Sequence, residues 1–275
     1  MGGAFLSSGG ILIRNIEHTD PWAILFFRSI GFVALLLSII VISNRKQTFN
    51  AFVKIGKYGV SLAIALSLGF VCYVFAMLLT TVANVAIFIS AGPLFTALLS
   101  WTFLRERVFF RTWVVIFFAT IGMVLMFSDS VNSGQVLGSI IALVLPISFA
   151  VMVVMIRSAG DISMVPATCL AGMFAAVIGL CFAENLFVTL YDLRLLIILG
   201  MGQLGLGFLF ITMGTRYVPA AESALLSLSE TFLAPILAWI FLSELPSLLG
   251  LIGGVIVVFC VCIQGVSSML YGPKS

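Results

Sequence analysis

Glu222 and Glu230 are carboxylates in a setting where charge is costly. They are the only acidic residues inside an apolar run, residues 219–242, and their spacing of eight places them near one helix face, two turns apart. An ionisable group at membrane depth costs about 2.5–3.5 kcal/mol or more, and such groups tend to mark substrate or ion pathways. Glu230 lies near the middle of the run, beside Thr231 and one turn before Pro235. There it could load and release a proton, or, kept protonated, tie two helices together by a hydrogen bond. Glu222 is nearer Arg216 and the end of the run, where reaching the interface is the simpler role.

Other polar side chains interrupt apolar runs at Arg28, Tyr73, Asn84, Ser90, Gln203 and Ser227. Each could hydrogen-bond a substrate or bridge helices. A serine hydroxyl can return to a carbonyl of its own helix, so bridging or local bonding is expected for Ser90 and Ser227. The Gln203 amide has no such local solution and is a better binding candidate. Arg28 follows Pro21 by seven residues. It either snorkels to the nearer interface or points inward, where it is a candidate for a substrate carboxylate.

Several patterns carry less. Cys72, Cys169, Cys181, Cys260 and Cys262 all lie in apolar runs without metal-ligand spacing and read as small hydrophobes. His18 is the single histidine, in a charged loop. Gly200-x-Gly202-x-x-Gly205 fits the dinucleotide fingerprint, but that signature needs a strand before it, and here it interrupts an apolar run. Close helix packing is the expected use of those glycines. No Walker motif is present, so the chain does not supply ATP hydrolysis. No metal or other cofactor is expected.

The elements that must position these residues are helices in lipid. The chain is 62% hydrophobic and only 8% charged, against about 25% charged in soluble domains. Its mean hydropathy is +1.28. A net charge of +3 gives no reason to expect nucleic acid. Apolar runs fall at 2–16, 21–42, 58–79, 83–104, 110–128, 135–156, 164–183, 194–214, 219–242 and 247–269. About 20 residues cross a bilayer core as a helix. The sequence therefore predicts ten transmembrane helices, the first short and expected to be truncated. Gly92-Pro93, Pro146 and Pro235 lie inside spans, where proline frees a carbonyl and acts as a hinge or a packing kink.

With a cytoplasmic N-terminus, ten Lys and Arg residues fall inside and only Arg14 and Arg194 outside, Arg28 being within a span. This positive-inside bias predicts a multi-pass protein with both termini cytoplasmic. The chain also repeats: Ala83–Glu106 and Ala221–Glu244 share seven of 24 positions without a gap, including Trp-x-Phe-Leu-x-Glu. Two halves, 1–130 and 131–275, of five spans each must be inverted relative to one another, since five is odd.

The pattern Arg216-Tyr217-Val218-Pro219-Ala220-Ala221, then Leu228-Ser229-Glu230, Pro235 and Trp239 to Glu244, resembles the second half of an EamA-type member of the drug/metabolite transporter superfamily. Ala83 to Glu106 and Gly122 resemble its first half. The resemblance implies ten helices, the first four of each half around a central cavity, the fifth and tenth peripheral. It further implies a secondary transporter, not an enzyme, exporting amino acids or drug-like amphipathic compounds by alternating access across a plasma membrane, for which a bacterial inner membrane is expected. Substrate-binding or coupling residues are then sought among Glu230, Gln203, Asn84, Tyr73, Arg28 and Glu222, with Glu230 the group for proton coupling. The competing readings are a channel or structural membrane subunit and, further off, a membrane-embedded enzyme.

Overall fold

A computed structural model describes residues 5–17, 19–103, 110–132, 134–160, 162–217, 233, 237, 239–241 and 248–271. Its elements are α1 (Gly9–Arg14), α2 (Pro21–Asn44), α3 (Thr48–Lys54), α4 (Gly56–Leu79), α5 (Val82–Ser90), α6 (Gly92–Phe103) and α7 (Phe110–Asn132). They continue as α8 (Val136–Ala142), α9 (Val144–Ser158), α10 (Val165–Phe182), α11 (Leu190–Ile197), a π-helical segment Ile198–Leu206, α12 (Gly207–Tyr217) and α13 (Leu248–Tyr271). Among the described residues the fold is all-helical. Six stretches are long and apolar enough to cross a membrane: 21–44, 56–79, 82–103, 136–158, 165–182 and 190–213. Two shorter apolar helices, 113–125 and 248–260, fall in the fifth and tenth runs of the sequence. Most of the ninth run, with Glu222 and Glu230, lies outside the described residues.

Local chemistry sets the helix ends. The Asp20 carboxylate accepts from the Trp22 amide at 3.1 Å while Pro21, which has no amide hydrogen to satisfy, occupies the first helical position of α2. Thr81 caps α5 by accepting from the Asn84 amide, and Thr189 caps α11 by accepting from the Asp192 amide. Two spans are broken near a proline. Pro146 cannot donate to the carbonyl of Ala142, and α8 gives way to α9 at Leu143; Pro93 cannot donate to Ile89, and α5 gives way to α6 at Ala91.

Packing pairs the halves. α10 lies along α2 and α4, the π segment along α2, α8 and α9 along α4, and α13 along α7. Four of these contacts, all but those of α8 and α9 with α4, map onto one another when each apolar run is exchanged with its counterpart five runs along. The contact of the second with the seventh span maps onto itself, as does the fifth with the tenth. The third-with-seventh contact maps onto the second-with-eighth. A two-fold relation between repeats produces that self-mapping. Small residues permit the close approaches: a Cβ on Gly179 would lie 2.9 Å from the Trp22 carbonyl, and one on Gly122 would lie 2.8 Å from the Gly253 carbonyl. The lipid-exposed faces carry large apolar side chains such as Ile42, Phe117, Phe182 and Phe259.

Candidate substrate site

Arg28 is turned inward. It is fully buried on α2, and its Nη2 donates to the Phe70 carbonyl of α4 at 3.0 Å. Its guanidinium carbon lies 5.7 Å from the centre of the Phe70 ring and 5.2 Å from that of Tyr73. Those contacts supply one hydrogen bond and two cation–π attractions, each ring worth about 2 kcal/mol when desolvated. They leave Nε and Nη1 without a hydrogen-bond partner. A buried guanidinium with unused donors is matched to an oxyanion, and a carboxylate is the common one in metabolites.

Gln203 reaches the same region from the opposite half. Its position in the π segment follows Gly200, whose Cβ, if present, would overlap the Arg28 carbonyl. Only glycine lets the eighth span approach α2 so closely. The Gln203 side chain is buried, donates from Nε2 to the Leu6 carbonyl at 3.1 Å, and leaves Oε1 unpartnered. A Cβ on Gly9 would overlap the Tyr73 hydroxyl and lie 2.7 Å from Gln203 Nε2, so the Tyr73 hydroxyl, the Gln203 amide and the first segment of the chain meet at one point. Arg28, Tyr73 and Gln203 thus form one polar cluster in an apolar core. On the side toward the Lys/Arg-rich end it is floored by Phe32, Phe70 and Phe208, whose ring centres lie 5.3 to 6.3 Å apart.

Asn84 is placed elsewhere. Its Nδ2 donates to Thr80 Oγ1 at 3.2 Å, and that hydroxyl donates to Gln135 Oε1 at 2.9 Å, so it bridges the starts of α5 and α8. Ser90 donates to the Ile87 carbonyl of its own helix. Glu222, Glu230 and Ser227 lie outside the described residues. No group of three or more potential metal ligands occurs among the described residues.

Two features were not specified residue by residue from sequence. Asp192 is 1% exposed and accepts from the Glu17 amide at 3.2 Å and the Thr19 hydroxyl at 3.1 Å; Asp20 accepts from the Glu184 amide at 2.9 Å. These bonds close the Lys/Arg-poor end by joining the α1–α2 loop to the second half. At the other end a cavity of about 800 Å³ opens, lined in part by Lys54, Arg157, Leu209 and Thr212. Thr189-x-x-Asp192 is a capping-box spacing that could have drawn attention to Asp192; the family resemblance implied a central cavity without naming the residues that line this one.

The EamA-like transporter family matches the chain twice, over residues 1–128 and 133–264. The chain belongs to that family. This EamA protein carries its repeated segments, Ala83–Glu106 and Ala221–Glu244, one in each match. It is similar to the uncharacterized transporter YdfC of Bacillus subtilis, 25% identical over 263 residues that span 90% of this chain and 83% of that one. It is also similar to the S-adenosylmethionine uptake transporter of Rickettsia bellii, 25% identical over 240 residues, 85% of this chain and 79% of the relative. A solved crystal structure shares the fold with a TM-score of 0.70 at 18% identity, covering 99% of this chain and 96% of the other. Family and relatives point to a transporter rather than an enzyme.

Proposed function

We propose that this EamA protein is a secondary transporter that exports amino acids or related amphipathic metabolites by alternating access, holding the substrate carboxylate on Arg28. It has ten spans, arranged as inverted five-helix halves at 1–130 and 131–275, with both termini cytoplasmic, in a bacterial inner membrane. The observation that carries the reading is the fully buried Arg28 guanidinium with two unused nitrogens. Tyr73 and Gln203 complete the site, the Gln203 Oε1 being free to accept from a substrate N–H. S-adenosylmethionine, the compound in the Rickettsia relative's name, itself contains an amino-acid carboxylate. Export is taken from the family resemblance; the cavity opens at the end that the Lys and Arg distribution assigns to the cytoplasm, where an exporter would load and an importer would release. Proton coupling is assigned to Glu230.

Thermal stability of the purified protein, measured with the common amino acids and their carboxamides, tests the site. A ligand at 100 times its Kd stabilises by about 2.7 kcal/mol. At least one amino acid is expected to raise the Tm, its carboxamide to lose the effect, and Arg28→Gln to abolish it. A shift that survives both changes would remove Arg28 from the site.

A further inference from the structure

We infer that the cavity at the Lys/Arg-rich end is the open form of an inner gate, which closes when the α9–α10 connection moves onto the α2–α4 connection that carries α3. The gate rests on the alternating-access reading and names the segments that seal the end now open. Exchange each apolar run with its counterpart five runs along. The connection between the first and second runs then becomes that between the sixth and seventh, and the connection between the seventh and eighth becomes that between the second and third. At the Lys/Arg-poor end the first pair is bonded: the Glu17 amide and Thr19 hydroxyl donate to Asp192, and the Glu184 amide donates to Asp20. At the other end the counterpart pair faces a space. Asn44, Gln47 and Ala51 from one connection, and Gly160, Ile162 and Ser163 from the other, line the same cavity of about 800 Å³. Corresponding segments are therefore joined at one end and parted at the other. When two halves are inverted copies, each adopting the other's arrangement yields the state that faces the opposite side, in which the parted pair is the joined one.

The backbone of both connections is turned at their ends. Arg45 at φ +44° and Gly56 at φ +57° bracket α3, and Gly160 at φ +59° begins the turn after α9. A Cβ at Gly56 or Gly160 would meet nothing within 4 Å among the described residues, so these glycines serve a left-handed backbone and not a close approach. Element-terminal residues of this kind are where hinges absorb changes of φ and ψ. Gln47 and Ser163, both exposed, bring an amide and a hydroxyl able to bond across the closed gate. One consequence separates a gate from a passive cleft. If bonding at one end accompanies parting at the other, weakening the outer bonds must shift the population toward the closed inner gate.

The test places cysteines on the two sides of the cavity. Gln47→Cys/Ser163→Cys is reconstituted in proteoliposomes and oxidised with copper phenanthroline, and the peptide pair linked through these positions is quantified by mass spectrometry. Identifying the peptides keeps the five native cysteines out of the measurement. Gln47→Cys/Ala51→Cys, on one connection, gives a same-side link as the reference for thiol reactivity. We expect Asp192→Ala to speed the cross-gate link about fivefold relative to the same-side link, the shift that losing one net hydrogen bond allows. Thr19→Ala, which leaves Asp192 its bond from the Glu17 amide, should act in the same direction by a smaller factor and serves if Asp192→Ala does not fold. Once linked across the gate, the protein should lose counterflow of the amino acid that gives the largest thermal shift, and dithiothreitol should restore it. A cross-gate link that never forms, whose relative rate ignores both variants, or that leaves counterflow undiminished would overturn the inference. Counterflow by the parent reads the carrier separately: carriage with a link insensitive to Asp192 and Thr19 sinks only the gate, and no carriage by the parent sinks the reading on which the gate rests.

Discussion

At Arg28 a charge that lipid would reject is held by one carbonyl and two aromatic rings, and the arrangement depends on a neighbour with no side chain. Gly200 touches the Arg28 backbone so closely that a methyl group there must displace the α2 carbonyl or the π segment. Overpacking against backbone costs about 1–3 kcal/mol. Gly200→Ala is therefore expected to lower the Tm of the purified protein, whereas Gly202→Ala, whose Cβ would meet only Ile198 at 3.9 Å, should leave it nearly unchanged. Equal effects would deny the close approach. At Glu230 the expectation is functional: Glu230→Gln keeps shape and hydrogen bonding but cannot titrate, so transport should lose its pH dependence in a protein that still folds. An unchanged rate and pH profile would leave Glu230 as a helix-bridging residue. That the Gln203 amide has no local partner was legible, and it reaches Leu6, distant in the chain. The direction of Arg28 was not legible. Its helix is apolar on every side, so no polar stripe distinguishes lipid from interior.

The helices themselves followed from apolar runs, and the structure shows caps at their starts from Asp20, Thr81 and Thr189. Prolines 93 and 146 foretold interruptions, and the breaks fall two and three residues before them, at Ala91 and Leu143. The π segment was hidden, because Gly200, Gly202 and Gly205 advertise close packing without specifying a change of helical register. Asp192 stands in a short polar break of the sequence, with nothing nearby to mark it as buried. Its burial arises from tertiary partners, the Glu17 amide and Thr19 hydroxyl, that no local pattern names. Losing a buried acceptor shared by two donors costs about 1–3 kcal/mol. Asp192→Ala is expected to speed amide hydrogen exchange at Glu17 and across the α1–α2 loop, while exchange in α4 stays slow. Unchanged protection at Glu17 would mean that the loop is held by other contacts.

For the molecule as a whole, the Lys/Arg-poor end is joined across the halves and a cavity opens at the other end, as one of the two states of the proposed alternating access would require. The family and the pairing of the halves support the repeat, and the orientation rests on the ten-to-two distribution of Lys and Arg. A cysteine at Lys54 should resist an impermeant maleimide in intact cells and react in inside-out vesicles; labelling in intact cells would reverse the topology. The central claim, that a carrier binds its substrate through Arg28, is tested most directly by counterflow. Proteoliposomes are loaded with the unlabelled amino acid that gives the largest thermal shift, and entry of the same labelled compound is followed. The account predicts a transient accumulation above equilibrium, present in the parent protein and absent in Arg28→Gln. Labelled substrate that merely equilibrates would indicate a channel, no entry at all would deny transport of that compound, and overshoot preserved in Arg28→Gln would place the binding site elsewhere.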